Sequence, residues 1–171
     1  DDGNPAQPNE VGNIAVPLDL PALFKGYYKD EARTAEPQIG EYFITGDLAK
    51  LDEDGYFWFE GRKDDIIISS GYTIGPFEVE DSLTKHPYVK ECAVVASPHE
   101  IRGNIVKAFV ILQDHITGDE SVIKELQNFV KQDVAPYKYP RAIKFVEDLP
   151  KTNSGKIRRI ELREAEKAKY L

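Results

Sequence analysis

The sequence predicts an α+β protein in which a small domain, with a mixed sheet flanked by helices, follows a short β unit. Two observations lead to this class. Short runs of strand-forming residues separated by turn residues fill the first third of the chain, and beyond Gly61 strands alternate with amphipathic helices. We therefore predict a boundary after Gly61, with residues 1–61 and 62–171 on either side. A β unit this short has a modest core, so we expect it to be the end of a larger domain.

The β unit is defined by apolar runs and one strong turn. "GNIAVPL" and "EYFIT" are typical of strands, and a connection rich in aromatic residues and proline separates them. "LAKLDEDGYFWFEGR" indicates a β-hairpin, because Asp54-Gly55 suits a turn that needs positive φ. Thr45-Gly46-Asp47 is predicted to end the second strand. A carboxylate there can accept hydrogen bonds from ribose hydroxyls, or it can simply cap the turn.

The second domain has clearer helix signals. "DDIIISSGYTIG" predicts two short strands with Gly71 at the bend, and "PFEVEDSLTKH" a helix that begins at Pro76. "VKECAVVAS" and "NIVKAFVIL" are rich in β-branched residues and predict strands. "GDESVIKELQNFVKQDV" has an apolar stripe at helical spacing, with Asp119 or Ser121 as the cap. "RAIKFVEDLP" predicts a final strand and "RIELREAEKAKYL" a short charged helix.

Composition excludes several classes of function. A net charge of −8 over 171 residues disfavours nonspecific nucleic-acid binding, and charged residues interrupt every apolar run, so no membrane span is expected. The single cysteine, Cys92, lies in a predicted buried strand, so we expect a core thiol and no disulfide. The three histidines have no ligand partners at metal spacing, and no metal site is expected. These features indicate a cytoplasmic protein.

Two polar stretches are candidates for binding chemistry. "LPKTNSGKIRR" places Lys156 on a predicted mobile loop of turn-forming residues, but its spacing is wrong for a phosphate-binding Walker A loop. The basic residues here could form a solvated surface or receive a small polyanion such as a nucleotide phosphate. In "GRKDDIIISSGYTIGP", Arg62 offers a fork of donors to phosphate or ribose oxygens. Adjacent Asp64 and Asp65 favour a solvated segment, either a hinge or a polar linker.

The order of these motifs resembles one enzyme family. "YFITGDLAKLDEDGYFWFEGRKDDIIISSGYTIGPFEVE", followed later by "APYKYPRAIKFVEDLPKTNSGKIRR", is similar to the AMP-forming acyl-CoA synthetases. Their superfamily includes nonribosomal peptide adenylation domains and firefly luciferase. Within it, "SSGYTIGPFEVE" and "APYKYPR" look most like the acetyl and medium-chain acyl-CoA synthetases. The resemblance implies a two-step reaction. ATP and a carboxylic acid form an acyl-adenylate and pyrophosphate, and the thiol of CoA then displaces AMP after the small C-terminal domain has rotated.

The resemblance also implies roles for individual residues in adenylate formation. Asp47 is expected to hold the ribose hydroxyls of ATP or AMP, and Arg62 to contact the ribose or phosphate region. Asp64 matches the hinge of the family. Lys156 matches the catalytic lysine that bridges the carboxylate and the α-phosphate during adenylation, where it would stabilise charge as a permanent cation.

Other residues are expected at the CoA site. Ser70, Gly71 and Tyr72 would line the tunnel for pantetheine, with Gly71 allowing the backbone to pass close by. Thr73 stands where the family often has arginine, which puts the phosphate contact from that position in doubt. Four further residues are candidates for the nucleotide phosphates of CoA: Arg102, Lys138, Tyr139 and Arg141.

The resemblance implies that further parts lie upstream. The family's lysine-ended loop for the ATP phosphates and its acyl pocket are absent, so we expect this chain to be the C-terminal portion, inactive alone. Mg²⁺ would enter with ATP and be held by the missing N-terminal portion, which is an expected partner. Residues 1–61 would then end the large adenylating domain. Two alternatives are an adenylation domain that loads a carrier protein, which is disfavoured because no carrier segment follows Lys156, and a non-catalytic interaction module.

Overall fold

The computed structural model of the protein describes residues 3–170, which form two compact units. The first unit extends to Asp64 and the second begins at Asp65. A turn of 3-10 helix, Lys63–Asp65, spans this boundary. The boundary predicted from the sequence follows Gly61, slightly earlier in the chain.

The first unit is built on a four-stranded antiparallel sheet around β3. The predicted hairpin joins β3 to β4, and Gly55 adopts the expected positive φ of 86° at its turn. The connection between the first two predicted strands also contains a short helix, capped by the Asp30 side chain, and a two-residue strand. The elements are β1 (Val11–Pro17), α1 (Glu31–Ala35), β2 (Gln38–Ile39), β3 (Tyr42–Leu51) and β4 (Phe57–Arg62).

The prediction that Thr45-Gly46-Asp47 ends a strand is wrong. β3 continues through these residues to Leu51. Gly46 adopts a φ of +80° within the strand, and the pairing with β1 shifts register between Leu48 and Ile44, where β3 has more residues than β1. Glycine and an irregular register are typical of a β-bulge, which bends a strand without ending it. Asp47 therefore lies on a strand, directly opposite Arg62 of β4.

The second unit contains a five-stranded mixed sheet, as the sequence predicts. β8 pairs antiparallel with β7 along its length, parallel with β9, and with β5 at Ser69 and Gly103. β5 and β6 form the predicted hairpin. The final strand is shorter than its predicted segment. The strands are β5 (Ile67–Ser69), β6 (Tyr72–Ile74), β7 (Val89–His99), β8 (Gly103–Leu112) and β9 (Ala142–Phe145).

Helices cover both faces of this sheet because successive side chains of β7 point in opposite directions. Cys92 and Val94 belong to a core cluster that includes apolar residues of α2 and α3. Ala93 and Val95 belong to a second cluster, against which Leu162 of α4 packs. The helices are α2 (Pro76–Lys85), α3 (Glu120–Asp133), whose cap is Asp119, and α4 (Arg159–Lys167).

Candidate functional site

The candidate nucleotide residues of the first unit form one ion-paired group. The Arg62 guanidinium donates from Nη1 to the Thr45 carbonyl oxygen at 3.1 Å and to Asp47 Oδ1 at 3.2 Å, and from Nε to Asp64 Oδ1 at 3.3 Å. Burial acts to lower the pKa of Arg62, but the charges of Asp64 and Asp47 outweigh it and raise the pKa above its ordinary value. The side chain of Asp47 remains 37% exposed, so a ligand hydroxyl could reach this carboxylate.

Gly46 makes this arrangement possible. A Cβ atom at Gly46 would lie 2.9 Å from Arg62 Nη2, and the φ of +80° disfavours any other residue. The glycine therefore lets the guanidinium lie against the strand between the Thr45 carbonyl and the Asp47 carboxylate. The sequence predicts roles for Asp47 and Arg62 separately, and the register of the hairpin is what pairs them.

The two aspartates at the unit boundary have different surroundings. Asp64 pairs with Arg62 in the first unit. The expectation that both aspartates lie in a solvated segment is wrong for Asp65, which is 9% exposed and forms an ion pair with Arg163 of α4. Asp65 belongs to the second unit, so the side chains of two adjacent residues are held by different units.

The predicted CoA-tunnel residues form the tip of the hairpin between β5 and β6. Ser69 pairs with Tyr72, so Ser70 and Gly71 make a two-residue turn with φ of +51° and +82°. Positive φ at both positions is the geometry of a type I′ turn. Arg102 Nη1 donates to Ser70 Oγ at 2.9 Å, which places a guanidinium beside the turn. Nothing lies within 4 Å of a Cβ built on Gly71, so space is open there.

A tyrosine that the sequence analysis does not single out completes this group. Tyr137 stacks on Tyr72 with ring centroids 4.5 Å apart and an interplanar angle of 23°. Lys138 follows Tyr137 directly, and its ammonium donates to Glu78 of α2. Tyr137 lies within the quoted "APYKYPR" motif, so the motif itself was the signal that could have found it.

The remaining CoA candidates lie against α3. Arg141 Nη1 donates to the Tyr139 hydroxyl at 2.9 Å, and the Lys131 ammonium lies 4.2 Å from the centroid of the Tyr139 ring. Gln127 donates to the carbonyl oxygens of Pro140 and Arg141. The structure thus joins Tyr139 and Arg141 to each other and to α3.

Lys156 lies on a turn that backbone hydrogen bonds close. The Thr152 amide donates to the Lys156 carbonyl at 2.8 Å, and the Arg158 amide donates to the Pro150 carbonyl at 2.8 Å. Gly155, with a φ of +83°, forms the bend. The side chain of Lys156 is exposed, and no carboxylate among residues 3–170 pairs with its ammonium group. The turn therefore presents one cation to the outside.

The neighbouring basic residues form ion pairs with carboxylates, so the basic surface that the sequence predicts carries less net positive charge than expected. Lys151 Nζ lies 2.7 Å from Glu91 Oε2, and Arg159 makes two hydrogen bonds to Glu80 at 3.0 and 2.6 Å. Arg158 pairs with Glu161 and Arg163 with Asp65. These pairs neutralise the basic residues that flank Lys156, so the Lys156 ammonium is the one left for an anionic ligand in the described stretch 151–163.

Other reactive groups of the described chain give no competing site. Burial and the nearby Glu80 charge raise the pKa of the Cys92 thiol to about 12, so this cysteine stays neutral, as expected for a core residue. Residues 3–170 contain no group of three His, Cys, Asp or Glu side chains that could hold a metal ion. None of the helices formed by these residues is long and apolar enough to cross a bilayer.

Comparisons with known proteins agree with the motif order. Residues 78–156 match the AMP-binding enzyme C-terminal domain. An uncharacterized acyl–CoA ligase of Bacillus subtilis is 66% identical over 166 residues, which cover 97% of this chain and 31% of that protein. A mitochondrial acyl-coenzyme A synthetase of Homo sapiens is 51% identical, over 96% of this chain and 29% of its own length.

A solved structure extends the similarity to the fold. The crystal structure of an anthranilate CoA ligase in complex with anthranoyl-AMP is 38% identical, with a TM-score of 0.86, and the match covers 100% of this chain and 33% of that one. The chain therefore spans about a third of the length of the proteins it matches.

Proposed function

Because residues 78–156 match the AMP-binding enzyme C-terminal domain and the chain is similar to acyl-CoA ligases, we propose that it supplies the C-terminal portion of an AMP-forming acyl-CoA synthetase. In this proposal the complete enzyme joins a carboxylic acid to AMP with release of pyrophosphate. The thiol of CoA then attacks the acyl carbon and AMP leaves. Residues up to Asp64 would end the large adenylating domain, and the second unit would be the small mobile domain.

One observation carries the proposal: Lys156 lies on a hydrogen-bonded turn and presents an exposed ammonium group, while its basic neighbours form ion pairs with carboxylates. Adenylate formation brings together two anions, the carboxylate and the α-phosphate, so a cation placed between them lowers their repulsion in the transition state. A paired lysine would have to break its ion pair first. We propose Lys156 as this cation.

Asp47 and Arg62 would bind the nucleotide. The carboxylate of Asp47 can accept hydrogen bonds from both ribose hydroxyls, and its pair with Arg62 holds it in place. The Arg62 side chain is 45% exposed, so its guanidinium can also donate to a ribose or phosphate oxygen. The proposal therefore assigns recognition of ATP and AMP to the first unit.

The second half-reaction would use the turn at Ser70 and Gly71. Pantetheine is a narrow chain, and a turn with open space at Gly71 allows it to pass close to the backbone. Tyr72 would form one wall, and Arg102 would lie beside the path. Lys138, Tyr139 and Arg141 remain proposed contacts for the phosphates of CoA. Lys138 would have to exchange its Glu78 partner for a phosphate.

Asp64 would be the pivot between the two half-reactions. Its side chain is tied to Arg62 in the first unit, whereas the next residue, Asp65, is anchored in the second. A rotation between the units is therefore absorbed most easily by the backbone dihedrals at Asp64. Mg²⁺ would arrive with ATP, and because the described residues contain no metal cluster, its ligands would come from the upstream portion.

The test joins this chain to the upstream portion of the Bacillus subtilis ligase, in place of the 31% that it matches. Pyrophosphate release and acyl-CoA formation are measured with ATP, CoA and a panel of carboxylic acids. We expect release with at least one acid and thioester only when CoA is present. Lys156→Ala should lower release by about 10²–10³. The matched control is Lys151→Ala, because Lys151 lies on the same turn but pairs with Glu91.

The same assay separates the alternatives. Pyrophosphate release without acyl-CoA formation, but with acyl transfer to an added carrier protein, would support a carrier-loading adenylation domain. A joined protein that folds yet releases no pyrophosphate with any acid would support the non-catalytic interaction module.

A further inference from the structure

Four charged side chains form a buried group in the second unit that the proposed chemistry does not use. Asp65, Glu80, Arg159 and Arg163 each expose between 11% and 15% of their side chains. Arg163 pairs with Asp65, Arg159 Nη1 lies 3.9 Å from Asp65 Oδ2, and Arg159 Nη2 lies 2.6 Å from Glu80 Oε2. Two carboxylates and two guanidinium groups balance their charge within the group.

This group connects two distant points of the chain. Asp65 is the first residue of the second unit and follows the proposed pivot directly. Arg159 is the first residue of α4 and lies three positions after Lys156. Arg163 is on the next turn of the same helix, so both guanidinium groups point from one face toward Asp65. The helix that continues from the Lys156 turn is therefore tied to the start of the unit.

Glu80 fixes the group to the rest of the domain. Its Oε1 accepts from the Val94 amide of β7 at 2.7 Å and from Arg159 Nε at 3.0 Å. The Arg159 guanidinium also lies 4.3 Å from the centroid of the Phe77 ring. Helix α2, strand β7 and helix α4 thus meet at this one group.

Stability alone does not account for such an arrangement. Burying charges costs desolvation free energy that ion pairs often only offset, and apolar side chains of similar volume are commonly as stabilising. Leu162 and Ile157 already pack α4 and the end of the turn on the sheet. The ion pairs add a fixed relative orientation, because a guanidinium that makes two hydrogen bonds to a carboxylate holds both groups in a defined geometry.

We infer that Asp65, Glu80, Arg159 and Arg163 are positioning residues that hold the Lys156 turn in a fixed place relative to the pivot. This inference rests on the proposed function. A rotation at Asp64 carries Lys156 to the nucleotide only if the domain between them moves as a rigid body. The ion-paired group supplies that rigidity at the two ends that matter, the first residue of the domain and the base of the catalytic turn.

The first test uses this chain alone and measures amide hydrogen exchange in Asp65→Asn. We expect the hydrogen-bonded amides of Arg158 and Glu161 at the start of α4 to exchange about tenfold faster, with less than about threefold change at Ala108 and Val110 in the centre of the sheet. Arg163→Lys is a milder second variant and should give a smaller change in the same places. Uniformly faster exchange across the second unit would overturn the inference, because it would indicate a loss of stability only.

The second test measures both half-reactions in the joined enzyme described above. Asp65→Asn should lower adenylate formation about tenfold and lower thioester formation from supplied adenylate less than about threefold. The control is Glu166→Gln, which removes a more deeply buried carboxylate from the other end of α4 and should affect both steps alike. Equal loss of both steps in Asp65→Asn would overturn the inference. If the unmodified joined enzyme forms no adenylate, the proposed function fails, and the exchange measurement still decides the role of the ion pairs.

Discussion

Glu166→Gln removes the carboxylate that anchors the C-terminal half of α4 to the sheet. Glu166 is 1% exposed, and its Oε2 accepts from Lys107 Nζ at 2.7 Å and from Ser97 Oγ at 2.9 Å, while Lys169 donates to Oε1. Burial acts to raise the pKa of Glu166, but the hydrogen bonds from Lys107, Lys169 and Ser97 outweigh it and lower the pKa to about 2. The carboxylate is therefore ionised in the folded protein at neutral pH.

The low pKa sets the size and sign of the effect on stability. The ordinary pKa of Glu is 4.5, and the gap to the folded value corresponds to about 3 kcal/mol of free energy of unfolding. Because the folded pKa is depressed, this contribution is present above the unfolded pKa and is lost as pH falls toward the folded pKa. The difference in stability between wild type and Glu166→Gln should therefore shrink by about 2 kcal/mol between pH 7 and pH 3.

Urea unfolding followed by circular dichroism at the helix band measures this difference. α2, α3 and α4 belong to the second unit, so the helix signal reports mainly on that unit. Fluorescence of Trp58, the single tryptophan, reports on the first unit and serves as the internal control. Wild type and Glu166→Gln are compared at the same pH, so the titration of the other carboxylates contributes equally to both stabilities and cancels in the difference. A stability difference that stays constant from pH 7 to pH 3 would refute the reasoning.

Three further predictions concern the joined enzyme. Lys156→Ala should lower adenylate formation by about 10²–10³ and spare thioester formation from supplied adenylate, since one transition-state cation is worth about 3–4 kcal/mol; equal loss in both steps would contradict a lysine used once. Gly71→Leu should block thioester formation but keep pyrophosphate exchange, because its side chain would enter the open space; loss of exchange as well would mean that strain at positive φ unfolds the turn. Asp64→Pro should slow thioester formation more than adenylation, because it fixes φ near −65°; unchanged turnover with normal melting would move the pivot to a neighbouring residue.

The sequence by itself was sufficient for features that depend on near neighbours. The strand at "VKECAVVAS", which is rich in β-branched residues, and the Asp54-Gly55 turn each follow from interactions within a few residues, and the structure contains both. The sequence also predicted a helix cap at Asp119 or Ser121, and the structure selects Asp119. The spacing of motifs along the chain was sufficient for the resemblance, and the comparisons find the same similarity to acyl-CoA ligases and to the AMP-binding enzyme C-terminal domain. The roles assigned to single residues remain predictions.

Even local rules failed where backbone geometry was unusual. Glycine at a strand end usually marks a turn, but Gly46 forms a bulge and β3 continues past Asp47. The difference depends on the pairing with β1, which lies far earlier in the chain. A sequence window around Asp47 does not contain that partner.

Only the tertiary structure decided which charges are paired and which are exposed. Asp65 looks like its neighbour Asp64 in sequence, yet it is buried against a helix 98 residues away. Arg159 and Lys156 are both basic residues of one short stretch, but Arg159 is committed to Glu80 and the Lys156 side chain is exposed. The physical reason is that an ion pair needs two side chains within about 4 Å. Which distant carboxylate reaches that distance depends on how the helices pack on the sheet.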